Sequence, residues 1–408
     1  MKKILCAVIL IILYSPNGFA TPEIQGVSGT VTHEGTITIT STDTNFGTKS
    51  PAAPLLWDAC KTNPALSTYY DEYIPGIGGD AQQGSQYNIG YRDSTFLDGR
   101  DSLGLPHDNT SYALGGAHAT SSSGYHTGGT VGIGVNTPTN PTQWFAIYWY
   151  AIDPIFPDCT SCGAADNMKE IDLSTVAGSF YETSATHGFL DWCNADVPNV
   201  NQTSDPKMQR VGCEDGIGYS CSGNYLVTHN TPLGAWIKMQ WEGDYNVGND
   251  CATLRFTTFP DNNVTYRTHY NTEIVPYRYA SPQHFGYPKT GTIAHIGIGG
   301  YSVTPRTSNG INAYRYFSCV YVDVTHARVM LGDNEDYTLC TKMEPQIPSE
   351  WSTSEIKATV NLGDFADSGP AYLFVFDSDN DANAEGYPVT LGGTNSTFKG
   401  VTISGGGV

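Results

Sequence analysis

Residues 144–152 read Trp-Phe-Ala-Ile-Tyr-Trp-Tyr-Ala-Ile. In an extended chain successive side chains point to opposite faces. Trp144, Tyr148 and Tyr150 therefore share one face, and Phe145, Ile147 and Trp149 share the other. Both faces are apolar, which is the pattern of a central strand covered on two sides. The neighbouring sequence repeats the signal in shorter pieces. Gly35-Thr-Ile-Thr-Ile-Thr40 alternates apolar and hydroxylated residues, as a half-buried strand does. Ala235–Trp241, Ala252–Thr258, Ile293–Ile298, Phe317–Val322, Arg328–Leu331, Glu355–Val360, Ala371–Phe376 and Tyr387–Leu391 read as further strands. Clusters of Gly, Asn, Asp, Pro and Ser separate them, as in a sandwich. No long stretch carries a 3.6-residue period. The fold class is all-β.

Composition agrees. The chain has 408 residues with 45 Gly, 26 Tyr and 23 Pro, and only 15% of its residues are charged. That is a turn-rich chain whose polar surface is built from Ser, Thr, Asn and Gly rather than from ion pairs. Its 40 acidic and 20 basic residues give a net charge of −20. Such a field repels phosphate backbones and argues against nucleic acid as a partner.

The first twenty residues read as an export signal. Lys2 and Lys3 precede the apolar run Cys6–Tyr14, Ser15-Pro-Asn-Gly18 breaks it, and Gly18-Phe-Ala20 offers small residues at a cleavage point. The run is too short for a membrane span, and no later segment is long and apolar enough for one. The expected mature protein is secreted or held at the cell surface. Losing the two lysines takes its charge from −20 to −22. Of ten cysteines, all but Cys6 remain in it. In an oxidising compartment disulfides are the default use of such cysteines. Cys159-x-x-Cys162 has no second pair to complete a zinc site.

Pro22-Glu-Ile-Gln-Gly-Val-Ser-Gly-Thr-Val31, Gly35–Thr40 and Asn45-Phe-Gly-Thr48 together resemble the opening of an IPT/TIG immunoglobulin-like domain. Ser41–Thr44 stands where that family usually has Gly-Ser or Ser-Gly. The family's second half follows much later, as Ala327–Gly332, Trp351-Ser-Thr-Ser-Glu-Ile356 running to Val360, Gly369–Phe376 and Gly386–Leu391. The stretch between resembles a concanavalin A-like jelly roll of the lectin/glucanase and laminin-G kind. The residues that carry this likeness are Leu55–Asp58, Trp144–Ile152, Trp236–Glu242 and Tyr316–Asp323. The resemblance implies a jelly roll inserted into a split sandwich. Its parts are a signal at 1–20, a first half at 21–53, the jelly roll at 54–323, a second half at 324–391 and a Gly-rich tail at 392–408. Ile37 and Ile39 are then expected to share a core with Val360 and Phe374. The ends of an inserted jelly roll must emerge side by side, which implies a disulfide between Cys60 and Cys319, with Cys340 as the competing partner.

Concanavalin-like enzymes carry E-x-D-x-E or E-x-D-x-x-E on their active strand. Glu170 and Asp172 fit the first two places, but Ser174 and Thr175 stand at both candidate third places. The motif therefore lacks the proton donor that retaining hydrolysis requires. No G-x-S-x-G elbow and no HExxH is present. Asp377, Asp379 and Asp381 alternate as calcium ligands can, yet Ala382 replaces the EF-hand Gly and a turn reads the segment equally well. Calcium is thus a candidate cofactor and no other is indicated.

Aromatic residues are the positive clue to a ligand. Trp144, Tyr148, Tyr150, Trp236 and Trp241 are candidate platforms for sugar rings, in a non-catalytic module whose partner is a polysaccharide or other glycan. The competing reading of the two-sided strand buries both faces, one under the second sheet and one under the Asp80–Thr137 loops. Two further functions stay open. One is a glycoside hydrolase or polysaccharide lyase with an unrecognised site. The other is a self-assembling subunit of a surface layer or filament.

Overall fold

The structure is a computed structural model. It describes residues 21–42, 45–58, 90–92, 113–117, 129–137, 141, 143–152, 167–174, 187–193, 208–215, 228–230, 236–244, 253–260, 295–303 and 314–398. The strands are β1 (Gly26–Thr30), β2 (Thr36–Thr40), β3 (Leu56–Asp58), β4 (Gly90–Arg92), β5 (Ala113–Ala117), β6 (Gly129–Asn136) and β7 (Gln143–Ile152). Next come β8 (Asn167–Ser174), β9 (His187–Cys193), β10 (Met208–Asp215), β11 (Thr228–Asn230), β12 (Trp236–Asp244), β13 (Thr253–Pro260) and β14 (His295–Val303). The last are β15 (Tyr314–Asp323), β16 (Arg328–Gly332), β17 (Met343–Trp351), β18 (Glu355–Thr359), β19 (Gly369–Phe376), β20 (Tyr387–Leu391) and β21 (Thr394–Phe398). One 3-10 turn, Tyr337–Leu339, is the sole helical element among the described residues. The all-β reading holds.

Strands from both ends of the chain form one hydrogen-bonded path, β20-β19-β16-β17-β18-β2-β1-β21. The join is antiparallel, with Ile39 opposite Ile356 and Ile37 opposite Ala358. At the outer edge Gly26 faces Phe398 and Thr30 faces Thr394. β17 folds the path over. Its first residues pair with β16 and its later ones with β18, across a bulge between Pro348 and Glu350. The two layers enclose a core that holds Val27, Ile37, Ile39, Val329, Leu331, Ile356, Val360, Leu373 and Val375. Ile37 and Ile39 thus meet Val360 as expected. Phe374 does not join them, because alternation along β19 places it on the opposite face between Leu373 and Val375.

The remaining strands form two sheets, β11-β10-β9-β8-β14-β6 and β13-β12-β7-β15-β5-β4, with β3 pairing β15. β3 enters and β15 leaves as antiparallel neighbours, Leu56 opposite Val322 and Asp58 opposite Val320. Trp144, Ala146 and Tyr148 of β7, with Met239 and Trp241 of β12, are fully buried on one face. Phe145 and Ile147 on the other face are equally buried. They join Tyr321 in an apolar cluster with Met330, Cys340, Met343, Phe374 and Phe376 of the end-to-end sandwich. Most of the Asp80–Thr137 stretch expected to cover one face lies outside the described residues, and at Phe145 and Ile147 the described cover comes from the second sandwich.

Candidate functional site

The sequence-predicted platform is interior. Trp144, Tyr148 and Trp241 are each 0% exposed. The Trp241 indole N–H donates to the Tyr148 hydroxyl at 3.0 Å, and a side chain at Gly243 would strike the Trp144 ring. These three rings fill space between layers and offer no stacking face to a sugar. The reason is that both apolar faces of the strand are covered. The side chains of Tyr150 and Trp236 lie outside the described residues. Their backbones sit at the same end of the β7–β12 pair, opposite Ile237 and Ala151.

The aspartate segment is a turn. The Asp377 carboxylate accepts the amides of Asp379 and Asp381 at 2.9 and 3.0 Å, while its own amide donates to the Asp381 carbonyl. Partial burial raises the Asp377 pKa. Asp377, Asp379 and Asp381 do not converge on a cation, and no group of three metal-binding side chains occurs among the described residues. These hydrogen bonds are those of the turn expected for the segment. Cys60 lies outside the described residues. Cys319 is buried at positive φ within an irregularity of β15, beside the strand that leads to Cys60.

The six-stranded sheet brings together chemistry that no local motif showed. Ile296 and Ile298 are buried, so one face of β14 is internal. On the opposite face, register sets Asn136, His295, Ser174 and His187 in a single row across four strands. The next row on that face is Gly134, Gly297, Asp172, Phe189 and Glu214. The glycine pair Gly132–Gly299 follows. Partners in such rows stand about 4.5–5.5 Å apart between Cα atoms, and rows are separated by about 7 Å. Asn136 is exposed. Two facing glycine pairs leave that stretch of the two strands without side chains. Asp172 borders it, and Glu170 stands in the register shift between Lys169 and Ile171 where β8 passes Gly299. Strand glycines mark places of close approach, and bulges recur beside active sites. Glu170 and Asp172 both lie in β8. The two histidines escaped sequence reading because His187 and His295 lie 108 positions apart in the chain and only strand order makes them neighbours.

A second polar constellation is buried between the sandwiches. Arg328 contacts Glu242 at 2.8 Å, Asn380 at 2.6 Å and the His326 carbonyl at 2.7 Å, and its guanidinium lies against the rings of Phe376 and Phe145. Lys49 meets Asp323 at 2.7 Å, and the Tyr321 hydroxyl donates to the same carboxylate at 3.0 Å. Lys238 contacts Glu344 directly, donates to the Met343 carbonyl at 2.9 Å and lies over the Trp149 ring. Burial pushes Glu344 up to about 8 against the opposing pull of Lys238. Burial likewise raises Asp323, with Lys49 opposing, and raises Tyr321, reinforced by Asp323.

No protein-family model matches the chain, and no curated protein does. Among solved structures it is similar to the alginate lyase Aly36B in complex with an alginate tetrasaccharide, at 10% identity and a TM-score of 0.29, over 62% of this chain and 94% of that one. It is similar to a GH131 β-glucanase catalytic domain from Podospora anserina at 12% identity and 0.32, over 63% and 84%. It is also similar to basic winged bean lectin with Tn-antigen at 9% identity and 0.30, over 65% and 96%.

Proposed function

We propose that this is an exported glycan-binding protein, a jelly roll carried in a split IPT/TIG-like sandwich. The polysaccharide lies along the paired glycines of the six-stranded sheet. The carrying observation is the paired glycines Gly134–Gly297 and Gly132–Gly299, bordered by Asp172 and by the row His295, Ser174 and His187. A stretch without side chains suits an extended chain, and the His, Ser, Asp and Asn residues that register places beside it are residue types that hydrogen-bond the vicinal hydroxyls of sugars. A net charge of −20 disfavours polyuronates and sulfated glycans, so the ligand class is neutral.

Catalysis is the second reading, favoured by the position of Glu170 at the irregularity beside Asp172. One experiment separates the two. The mature protein is incubated with insoluble β-glucan, xylan and mannan, and with alginate and pectate, measuring depletion and newly released reducing or unsaturated ends. Depletion by a neutral glycan without release supports binding. Release abolished by Glu170→Gln supports the enzyme. A His187→Ala, His295→Ala variant should lose retention at least tenfold. Unchanged retention, or a preference for the acidic glycans, overturns the site.

A further inference from the structure

We propose that Lys238 and Glu344 become joined by an amide bond, a covalent cross-link between the jelly roll and the sandwich that carries it. The two side chains are 2% and 0% exposed and in direct contact. Around them stand the Trp149 ring at 4.4 Å from Nζ and the carboxyl of Asp364, whose Oδ1 is 3.9 Å from the same nitrogen. That Oδ1 is buried without a hydrogen-bond partner. Lys342 holds the far side of Asp364, through its Oδ2 at 3.7 Å and its backbone carbonyl at 2.9 Å. These are the parts an uncatalysed amine–acid condensation lacks: a fixed amine, a fixed acid, a nearby proton carrier and no bulk water.

The chemistry closes on itself. A proton passing from the ammonium of Lys238 to Glu344 gives a neutral amine beside a neutral acid, and the acid is the electrophilic form. Burial favours that form, since Glu344 is pushed up to about 8. Nζ then attacks Cδ and the N–C bond forms. Asp364 takes the excess amine proton and returns it to the departing hydroxyl, and the C–O bond breaks with release of water. One ammonium and one carboxylate become one amide and one water, with no oxidant and no cofactor. Holding the partners in contact supplies the proximity such a step needs.

The pocket suits the product. The remaining amide N–H keeps the Met343 carbonyl as acceptor, which Nζ meets at 2.9 Å. Whichever oxygen remains in the amide keeps a donor already in place, the Asp364 amide at 3.1 Å for Oε1 or the Asn361 side chain at 3.3 Å for Oε2. A neutral buried amide also replaces a buried ion pair, whose desolvation is costly.

The test is the mass of the full mature protein, denatured and reduced, followed by tryptic mapping. The expected mass is one water below that of the sequence. The amidated Lys238 resists cleavage, so residues 211–255 should be recovered joined to residues 343–357. Asp364 lies in a different tryptic peptide, 358–399, so attachment there would overturn the assignment. Lys238→Arg keeps the buried cation and should restore the full mass. An unmodified mass in the parent protein, or a deficit that persists in Lys238→Arg, overturns the proposal.

Discussion

The guanidinium of Arg328 meets the carboxylate of Glu242 at 2.8 Å, with both side chains almost wholly excluded from solvent. Arg328 begins a strand of the end-to-end sandwich, and Glu242 belongs to the sheet packed against it. Removing one partner strands the other charge in an apolar seam. Glu242→Ala should cost about 3–5 kcal/mol. Glu242→Gln, which keeps the hydrogen-bonding oxygen for Asn380, should cost less. Urea unfolding monitored by tryptophan fluorescence gives both values.

Asp323 supplies a pH dependence. Its folded pKa lies above the ordinary 3.8, because burial outweighs Lys49. Between 3.8 and the folded value the folded state binds more protons than the unfolded state, so stability falls as pH rises through that window. Asp323→Asn should remove this part of the slope. Unfolding midpoints measured from pH 3.5 upward would refute the assignment if the two slopes coincide.

Gly363 has a φ of 50°, and a β-carbon there would come within 1.9 Å of the Glu344 carboxyl. Gly363→Ala should therefore destabilise the protein by about 1–3 kcal/mol, from backbone strain alone. Displacing Glu344 should also slow any reaction at Lys238. The variant's mass, followed after expression, reads the second effect separately from the first.

Residues 321–398 lack β1 and β2, and so lack Ile37 and Ile39. Expressed alone they should show no cooperative unfolding, because β18 would present a bare edge and the core one open side. A co-expressed segment 21–58 should restore the transition. A sharp transition in the isolated fragment would contradict the shared core.

Trp241→Phe should lower stability by about 1–3 kcal/mol through the lost bond to the Tyr148 hydroxyl. Retention on a neutral glycan should not change, because the ring is internal. Loss of retention at unaltered stability would return the aromatic residues to the ligand site.

Alternation made the strands legible: Thr-Ile-Thr-Ile-Thr over 36–40 and the two-sided run at 144–152 both stand where their patterns put them. The partner of each face was not legible. Phe145, Ile147 and Trp149 read as apolar and coverable, but nothing local says that Met330, Phe374 and Lys238 cover them. Phe374 shows the same limit, since one residue along β19 separates two cores. The charges were hardest to place. Charges usually lie at the surface, yet Lys238, Glu242 and Asp323 are internal because a second sandwich closes over their sheet. Likewise His187 and His295 carry no signal until strand order is known.

Gly26 faces Phe398 in an antiparallel pair, so the chain leaves the sandwich from one end of one strand pair in both directions. Tension applied between those two exits would open β1 from β21 like a zipper, loading one hydrogen bond at a time instead of all together. The force path would run through the outermost strands and miss the jelly roll, whose own entry and exit, β3 and β15, are likewise neighbours. A glycan held on the six-stranded sheet would feel no pull from the chain's ends. If the glycan itself were the fixed point, the load would instead cross the seam where Arg328 meets Glu242 and Lys238 meets Glu344.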